Sequence, residues 1–212
     1  MTDPISKPRG RPRAYDPELA LERALQAFWK GGFSGTSLDD LATATGMNRP
    51  SLYAGLGDKR TIYIKAMQRF RDHAQRHFGR ALEAHAGDNS FADVIERYLK
   101  AAIELEAEHP DTGISGCAVV STATAEALVD PQIRQLLDDV LHDMDEQLLT
   151  RLQDAVEAGE LPANTEVGVL GFLLTSTAHS IGIRARAGQE RQAVEELAGP
   201  IAQMLFHATR NS

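Results

Sequence analysis

Cysteine is all but missing from this chain. Cys117 stands alone among 212 residues, so no internal disulfide can form, and a reducing cytoplasm is the expected compartment. Long apolar runs are missing too. None approaches the roughly 18–20 residues that a bilayer-spanning helix needs, so no membrane partner is expected. The N-terminus is polar and basic, without the apolar core of a secretory signal. No alternation of apolar and polar residues marks a strand, and no repeat or linker interrupts the chain. What is present is 42% hydrophobic and 25% charged, the composition of a globular protein with ample core.

The net charge of −8 is unevenly spread. Residues 1–76 hold 13 Lys and Arg against 8 Asp and Glu, a net of +5, while residues 77–212 hold 9 against 22, a net of −13. Such asymmetry marks one end for a polyanion and keeps the rest clear of it, although a plain acidic bundle has the same composition. The most basic stretch is KPRGRPR at 7–13, with Lys7, Arg9, Arg11 and Arg13 and no acid between them. Residues 1–14 cannot bury apolar surface and are expected to be disordered when free. Alternate arginines on an extended backbone can follow the negative potential of a narrow minor groove, as in an AT-hook. A solubilising tail has the same composition.

The stretch that organises the chain is Thr36 to Lys59. Leu38 and Leu41 fall on one face of a short helix. Thr36 or Ser37 can cap it, with Asp39 or Asp40 as the acidic partner of a capping box. Ala42 allows a close helix crossing, and Gly46 sits where the chain must turn with φ > 0. Met47 and Leu52 return to the same small core. Asn48 can cap a second helix, and Pro50 is tolerated in its first turn. This is the helix-turn-helix pattern, whose second helix lies in the major groove of DNA.

On either side the chain reads as helix. Asp16 and Pro17 open a first helix with the stripe Leu21, Ala24, Leu25 and Phe28, ended by Gly31-Gly32; Trp29 reads as packing. Asp58 caps a long helix predicted to run to about Ala86. His73 and His77 on it have metal-ligand spacing, but no third ligand lies near and Arg71, Arg76 and Arg80 repel a cation, so no metal is expected. Further helices are predicted over 91–108, 117–128, 131–159, from an Asn164 or Thr165 cap to 187, and over 190–209. The helix ending at 187 is apolar nearly all round, and the last carries Val194, Leu197, Ile201, Met204 and Leu205, with a kink expected at Pro200. Together they point to a homodimer interface formed by the last two helices. The expected architecture is all-α, about nine helices: a flexible arm at 1–14, a helix-turn-helix domain at 15–60 and a helical bundle at 61–212.

Ser37-Leu38, Leu41-Ala42, Gly46-Met47, Ser51-Leu52-Tyr53 and Lys59 resemble the DNA-binding domain of the tetracycline-repressor (TetR/AcrR) family. The resemblance covers about residues 15–62; beyond them only helix number and dimerisation by the last two helices agree. Gly55-Leu56-Gly57 departs from the bulkier aromatic that the family often has after the tyrosine. The resemblance implies a homodimeric, ligand-responsive transcription factor, usually a repressor, with 61–212 as its ligand-binding and dimerisation domain; no cofactor is expected. Carried over by position, Thr36, Ser37, Tyr53 and Lys59 contact phosphates, while Asn48, Arg49, Pro50 and Ser51 face the bases. Arginine suits guanine O6 and N7, a contact contributing about 1–3 kcal/mol of discrimination. Two such helices in successive major grooves, about 34–36 Å apart, call for a pseudo-palindromic operator.

A small-molecule effector would act by its differential affinity for two dimer states, with the long helix from 58 as lever. Candidate pocket residues are Tyr98, Cys117, Ser121, Phe172, Thr175 and His179. Cys117 offers a different switch, oxidation of its thiolate. His109, Asp111, Ser115 and Cys117 lie close in sequence, but there is no nucleophile elbow or phosphate loop, so an enzyme is not expected. A helical interaction module would leave the basic arm and the charge asymmetry unexplained.

Overall fold

The computed structural model describes residues 15–107 and 116–210. The basic arm with Arg9, Arg11 and Arg13, and the residues His109, Asp111 and Ser115, lie outside the described residues. Nine α-helices, one 3-10 turn and no strand occur among the described residues. The helices are α1 (Pro17–Gly35), α2 (Leu38–Thr45), α3 (Arg49–Gly55), α4 (Lys59–Leu82), α5 (Phe91–Ala107), α6 (Ala118–Ala123), α7 (Pro131–Glu157), α8 (Val167–Arg186) and α9 (Arg191–Arg210), with the 3-10 turn at Glu126–Leu128. No helix among the described residues is long and apolar enough to cross a membrane.

Local chemistry sets most of the boundaries. Asp16 caps α1 by accepting from the Glu18 and Leu19 N–H groups at 2.9 and 3.5 Å. Gly32, at φ 72° and ψ 175°, breaks that helix where the paired glycines lead one to expect it. Asp58 caps α4 through the Thr61 N–H at 2.8 Å, which holds its carboxyl below the usual carboxylate range. Asp130 caps α7 through Gln132 and Ile133.

Three boundaries differ from the sequence expectation, each for a visible reason. The helix from 58 stops at Leu82 instead of Ala86. There Glu83 is extended, and Arg97 of α5 donates to the carbonyls of Ala81 at 2.8 Å and Glu83 at 2.6 Å while pairing with Asp88 at 2.7 Å. The helix expected over 117–128 is broken into α6 and the 3-10 turn. The Thr122 and Thr124 hydroxyls donate to the carbonyls four residues back, at 2.6 and 2.5 Å, a pattern that weakens and bends helices. Neither Asn164 nor Thr165 caps α8. The Thr165 hydroxyl turns back to the Pro162 carbonyl at 2.7 Å, and the helix starts after Glu166 with no side-chain cap. α9 runs on through Pro200 as one helix.

The long helix α4 lies at the centre and packs on α1, α5, α6 and α7. Its Ile62, Tyr63, Ala66 and Met67 are fully buried. Side chains the size of Ile62 and Met67 stabilise by about 1.5–3 kcal/mol each when buried. Tyr63 stands edge-on to Phe28 and Phe33, both at 5.1 Å between ring centres, so one aromatic cluster joins the end of α1 to α4. Trp29 packs edge-on to Phe70 at 5.3 Å, a packing role as expected.

The N-terminal helices are tied to the bundle by polar contacts as well. Arg60 Nε lies 2.6 Å from Asp130 Oδ2, joining the start of α4 to the cap of α7. The Tyr63 and Thr122 hydroxyls meet at 2.7 Å, and burial pushes the Tyr63 phenol up to about 12. The Ser34 N–H donates to Glu126 at 3.2 Å, and Arg186 at the end of α8 donates to the Trp29 carbonyl at 3.0 Å.

Candidate nucleic-acid interface and internal cavity

α2 and α3 form a tightly determined corner. Ser37 Oγ accepts from the Asp40 N–H at 3.1 Å while Asp40 accepts from the Ser37 N–H at 2.8 Å, a complete capping box. Ser37 and Asp40 thus fill the alternatives left open by the sequence, and hydrogen bonding to Ser37 lowers the Asp40 pKa. Gly46 ends α2 in the left-handed region at φ 70°. The Met47 N–H then reaches the Ala42 carbonyl at 3.1 Å, and Thr45 braces the turn by donating to the Leu41 carbonyl at 2.7 Å. Asn48 caps α3 through the Ser51 N–H at 2.9 Å.

Leu52 and Leu56 are buried, whereas Arg49, Pro50, Tyr53 and Ala54 are exposed. The apolar face of α3 therefore seats it on the core, and its other face is free for a ligand. Lys65 of α4 pins the end of α3 by donating to the Leu56 carbonyl at 2.9 Å. Gly57 has φ 108°, and a Cβ there would lie 2.9 Å from Thr61 Cβ, so the step from α3 to α4 needs glycine.

Of the residues expected at this surface, Ser37, Asn48, Arg49, Pro50 and Tyr53 are exposed, while Ser51 and Lys59 are half-buried. Lys59 Nζ sits 4.6 Å from the centre of the Phe33 ring. Thr36 lies inward: it is 3% exposed, and its hydroxyl donates to the carbonyls of Gly32 at 2.7 Å and Ala27 at 3.3 Å. That hydroxyl closes the end of α1. Asp39 was missed. Because Asp40 completes the capping box, Asp39 is free to pair with Arg49, through Nε at 2.7 Å and Nη2 at 2.6 Å. The pairing lowers the Asp39 pKa and raises that of Arg49. The only sequence signal was an acid on α2 that was left over once the cap was assigned.

Inside the bundle, Phe70, Ala74 and Phe78 of α4, Leu105 of α5, Val140 and Met144 of α7 and His179 of α8 line a cavity of about 40 Å³. Arg71 and Asp143, paired at 2.5 Å, stand at its wall. Cys117, half-buried at the start of α6, also lines it. His179 Nε2 is buried without a hydrogen-bond partner, and burial lowers the ring's pKa from its ordinary value.

The other pocket candidates lie elsewhere. Phe172 is 69% exposed on the outside of α8. Thr175 is buried, with its hydroxyl donating to the Gly171 and Phe172 carbonyls of its own helix. Ser121 is half-buried and outside the cavity wall. Tyr98 is also outside the wall; its hydroxyl is buried without a partner, and burial pushes the phenol up. Phe70 and Ala74 stand four apart on α4, and periodicity alone cannot separate a core face from a cavity wall. No group of three or more His, Cys, Asp or Glu side chains is placed to hold a metal among the described residues.

An exposed recognition helix braced by a capped partner helix, on a helical bundle with an internal cavity, defines a helix-turn-helix DNA-binding regulator. Residues 20–65 match the bacterial regulatory proteins of the tetR family, and residues 95–199 match the tetracyclin repressor-like C-terminal domain. The HTH-type transcriptional repressor ComR of Escherichia coli (strain K12) is 30% identical over 201 residues, covering 93% of this chain and 92% of its own. The HTH-type transcriptional repressor BdcR of the same strain is 26% identical over 142 residues, 67% of this chain and 68% of its own. A cysteine mutant of the TetR family regulator CifR, solved in complex with 26-base-pair operator DNA, superposes with a TM-score of 0.79 at 24% identity, covering 92% of this chain and 98% of that one. This chain belongs to the TetR family of bacterial transcriptional regulators.

Proposed function

We propose that the protein is a homodimeric transcriptional repressor that reads a pseudo-palindromic operator and is released from it by a small, largely apolar effector. The carrying observation is the α2–α3 corner, which presents Ser37, Asn48, Arg49, Pro50, Ser51, Tyr53 and Lys59 from a braced scaffold. Ser37, Tyr53 and Lys59 suit phosphates, and Arg49 with Asn48 and Ser51 suits base edges. The arginines of the arm, Arg9, Arg11 and Arg13, follow the adjacent minor groove. Residues 15–60 are the reading head and 61–212 the sensing and pairing bundle. The relatives named as repressors support the direction of regulation. A single cysteine fits work in the cytoplasm.

Self-association rests on α8 and α9. Val169, Phe172 and Ile183 of α8 and Leu197 and Met204 of α9 are exposed apolar side chains, and such a patch marks an interface. Two copies meeting there would place two reading heads on successive grooves.

The cavity is far smaller than the roughly 300–1,000 Å³ of ordinary ligand sites. An effector must therefore part the helices that line it, and parting them is how binding does work on the head. α4 and α7 line the cavity, and the Arg60–Asp130 pair joins their ends. Displacing either helix moves the base of α3, and the effector acts by favouring the state whose heads no longer match the operator. A second reading, a thiol switch, is carried by the place of Cys117 on the cavity wall; an unchanged oxidant response after Cys117→Ser removes it.

The test is selection of duplexes from a random pool at two salt concentrations, with the oligomeric state measured by sedimentation. Enrichment of a pseudo-palindrome by a dimer, weakening steeply with salt, is the expected result. Weak binding without sequence preference would leave the chain no operator to read.

A further inference from the structure

We infer that Asp39 is a specificity-determining positioning residue, one that holds Arg49 so that a single edge of its guanidinium faces a guanine in the operator. The inference rests on the DNA-reading function proposed above. Asp39 takes the side edge of the guanidinium, accepting from Nε at 2.7 Å and Nη2 at 2.6 Å. Arginine carries five N–H groups in one plane. Three remain, both on Nη1 and the second on Nη2. One N–H from each nitrogen points along the end edge, the fork that matches guanine O6 and N7.

Stability does not account for the pair. Both side chains are mostly exposed, at 55% and 71%, and such surface pairs contribute little. Nor is Asp39 needed as a cap, since Ser37 and Asp40 complete that motif. A carboxylate at a DNA-facing corner repels phosphates. What it supplies is geometry. A loose arginine at the first position of α3 can swing to backbone phosphates, which carry no sequence information. Held by Asp39, it spends its free edge on a base. The carboxylate also penalises the arrangement in which Arg49 abandons it for a phosphate.

The experiment uses the full chain as wild type, Arg49→Ala, Asp39→Asn, Asp39→Glu and the double variant Arg49→Ala with Asp39→Asn. Arg49→Ala identifies the base position that Arg49 reads. At that position Asp39→Asn lowers discrimination between bases by about three- to tenfold per half-site, the order expected when a long side chain must be ordered on binding. Affinity for unrelated duplex holds or rises, because a repelling charge is gone. Asp39→Glu restores part of the discrimination, and in the Arg49→Ala background Asp39→Asn changes no base preference. The role of Asp39 is overturned if Asp39→Asn weakens all duplexes alike with preference intact, if it alters preference equally without Arg49, or if Arg49→Ala keeps every preference. A wild-type protein that selects no sequence overturns the DNA-reading function and this role with it. One that selects a sequence and keeps its preference after Asp39→Asn overturns only the latter.

Discussion

Asp130 carries two attachments at once, and substitutions can separate them. It is 6% exposed, caps α7 through the Gln132 and Ile133 N–H groups at 3.0 and 3.4 Å, and pairs with Arg60 at 2.6 Å. Asp130→Asn keeps a side-chain oxygen for the cap and removes only the charge, so it costs less than about 1 kcal/mol, given that Arg60 is half-exposed. Asp130→Ala removes the cap as well, about 1 kcal/mol more. Arg60→Gln leaves a buried carboxylate without its cation and costs about 1–2 kcal/mol. Combining Arg60→Gln with Asp130→Asn removes the stranded charge, so the double variant is more stable than Arg60→Gln alone. In a chain of this size 1 kcal/mol moves the melting temperature by about 2–4 °C, so differential scanning calorimetry resolves the series. A double variant melting at or below Arg60→Gln would refute the pairing, and equal losses in Asp130→Asn and Asp130→Ala would refute the cap.

Other consequences are checked as readily. Thr36→Val removes a buried hydroxyl that serves two carbonyls, so it lowers stability by about 1–2 kcal/mol in a urea titration, which a purely phosphate-contacting residue would not do. Gly116→Ala would place a Cβ 2.7 Å from the Gly182 carbonyl oxygen at φ 85°, so it should lower the melting temperature more than alanine at Gly168, which meets nothing within 4 Å. Burial holds the His179 pKa below 6.5, so as pH falls the unfolded chain takes up that proton first. The stability due to its neutral form is whole above about pH 6.5 and is lost from there down towards the lower folded value. His179→Gln should flatten the wild-type decline in urea midpoint between about pH 7 and pH 5.

Local rules exposed most of this fold, and the misses have local causes. Asp16, Asn48, Asp58 and Asp130 were readable as caps because each precedes a helical run and each accepts from the N–H groups it faces. Gly46 was readable because a left-handed residue has few alternatives. The orientation of Thr36 was not legible, because a threonine beside a cap looks the same whether its hydroxyl faces outward or closes the previous helix. Only the distance to Gly32 decides that, and it depends on where α1 ends. The break after α6 came from threonine hydroxyls competing for carbonyls, which apolar periodicity does not register. Phe172 and Phe78 are both aromatics on helices, yet one faces outward and the other the cavity. That difference belongs to the packing of α4 and α8 against their neighbours.

α8 meets three surfaces along its length. Its outer face carries exposed apolar side chains, Ala178 and His179 line the cavity, and Arg186 at its end holds the carbonyl of Trp29 in the head. In the proposed dimer, a partner pressing on the outside and a ligand pushing from the inside would load the same rod from opposite sides. With self-association through that face, the two loads would sum before they reached the head, which would register only the total. A protomer short of partners and a dimer full of ligand would then present the same posture to DNA. Protein concentration would count as a second input, so an operator would be vacated by dilution of the regulator as by its effector.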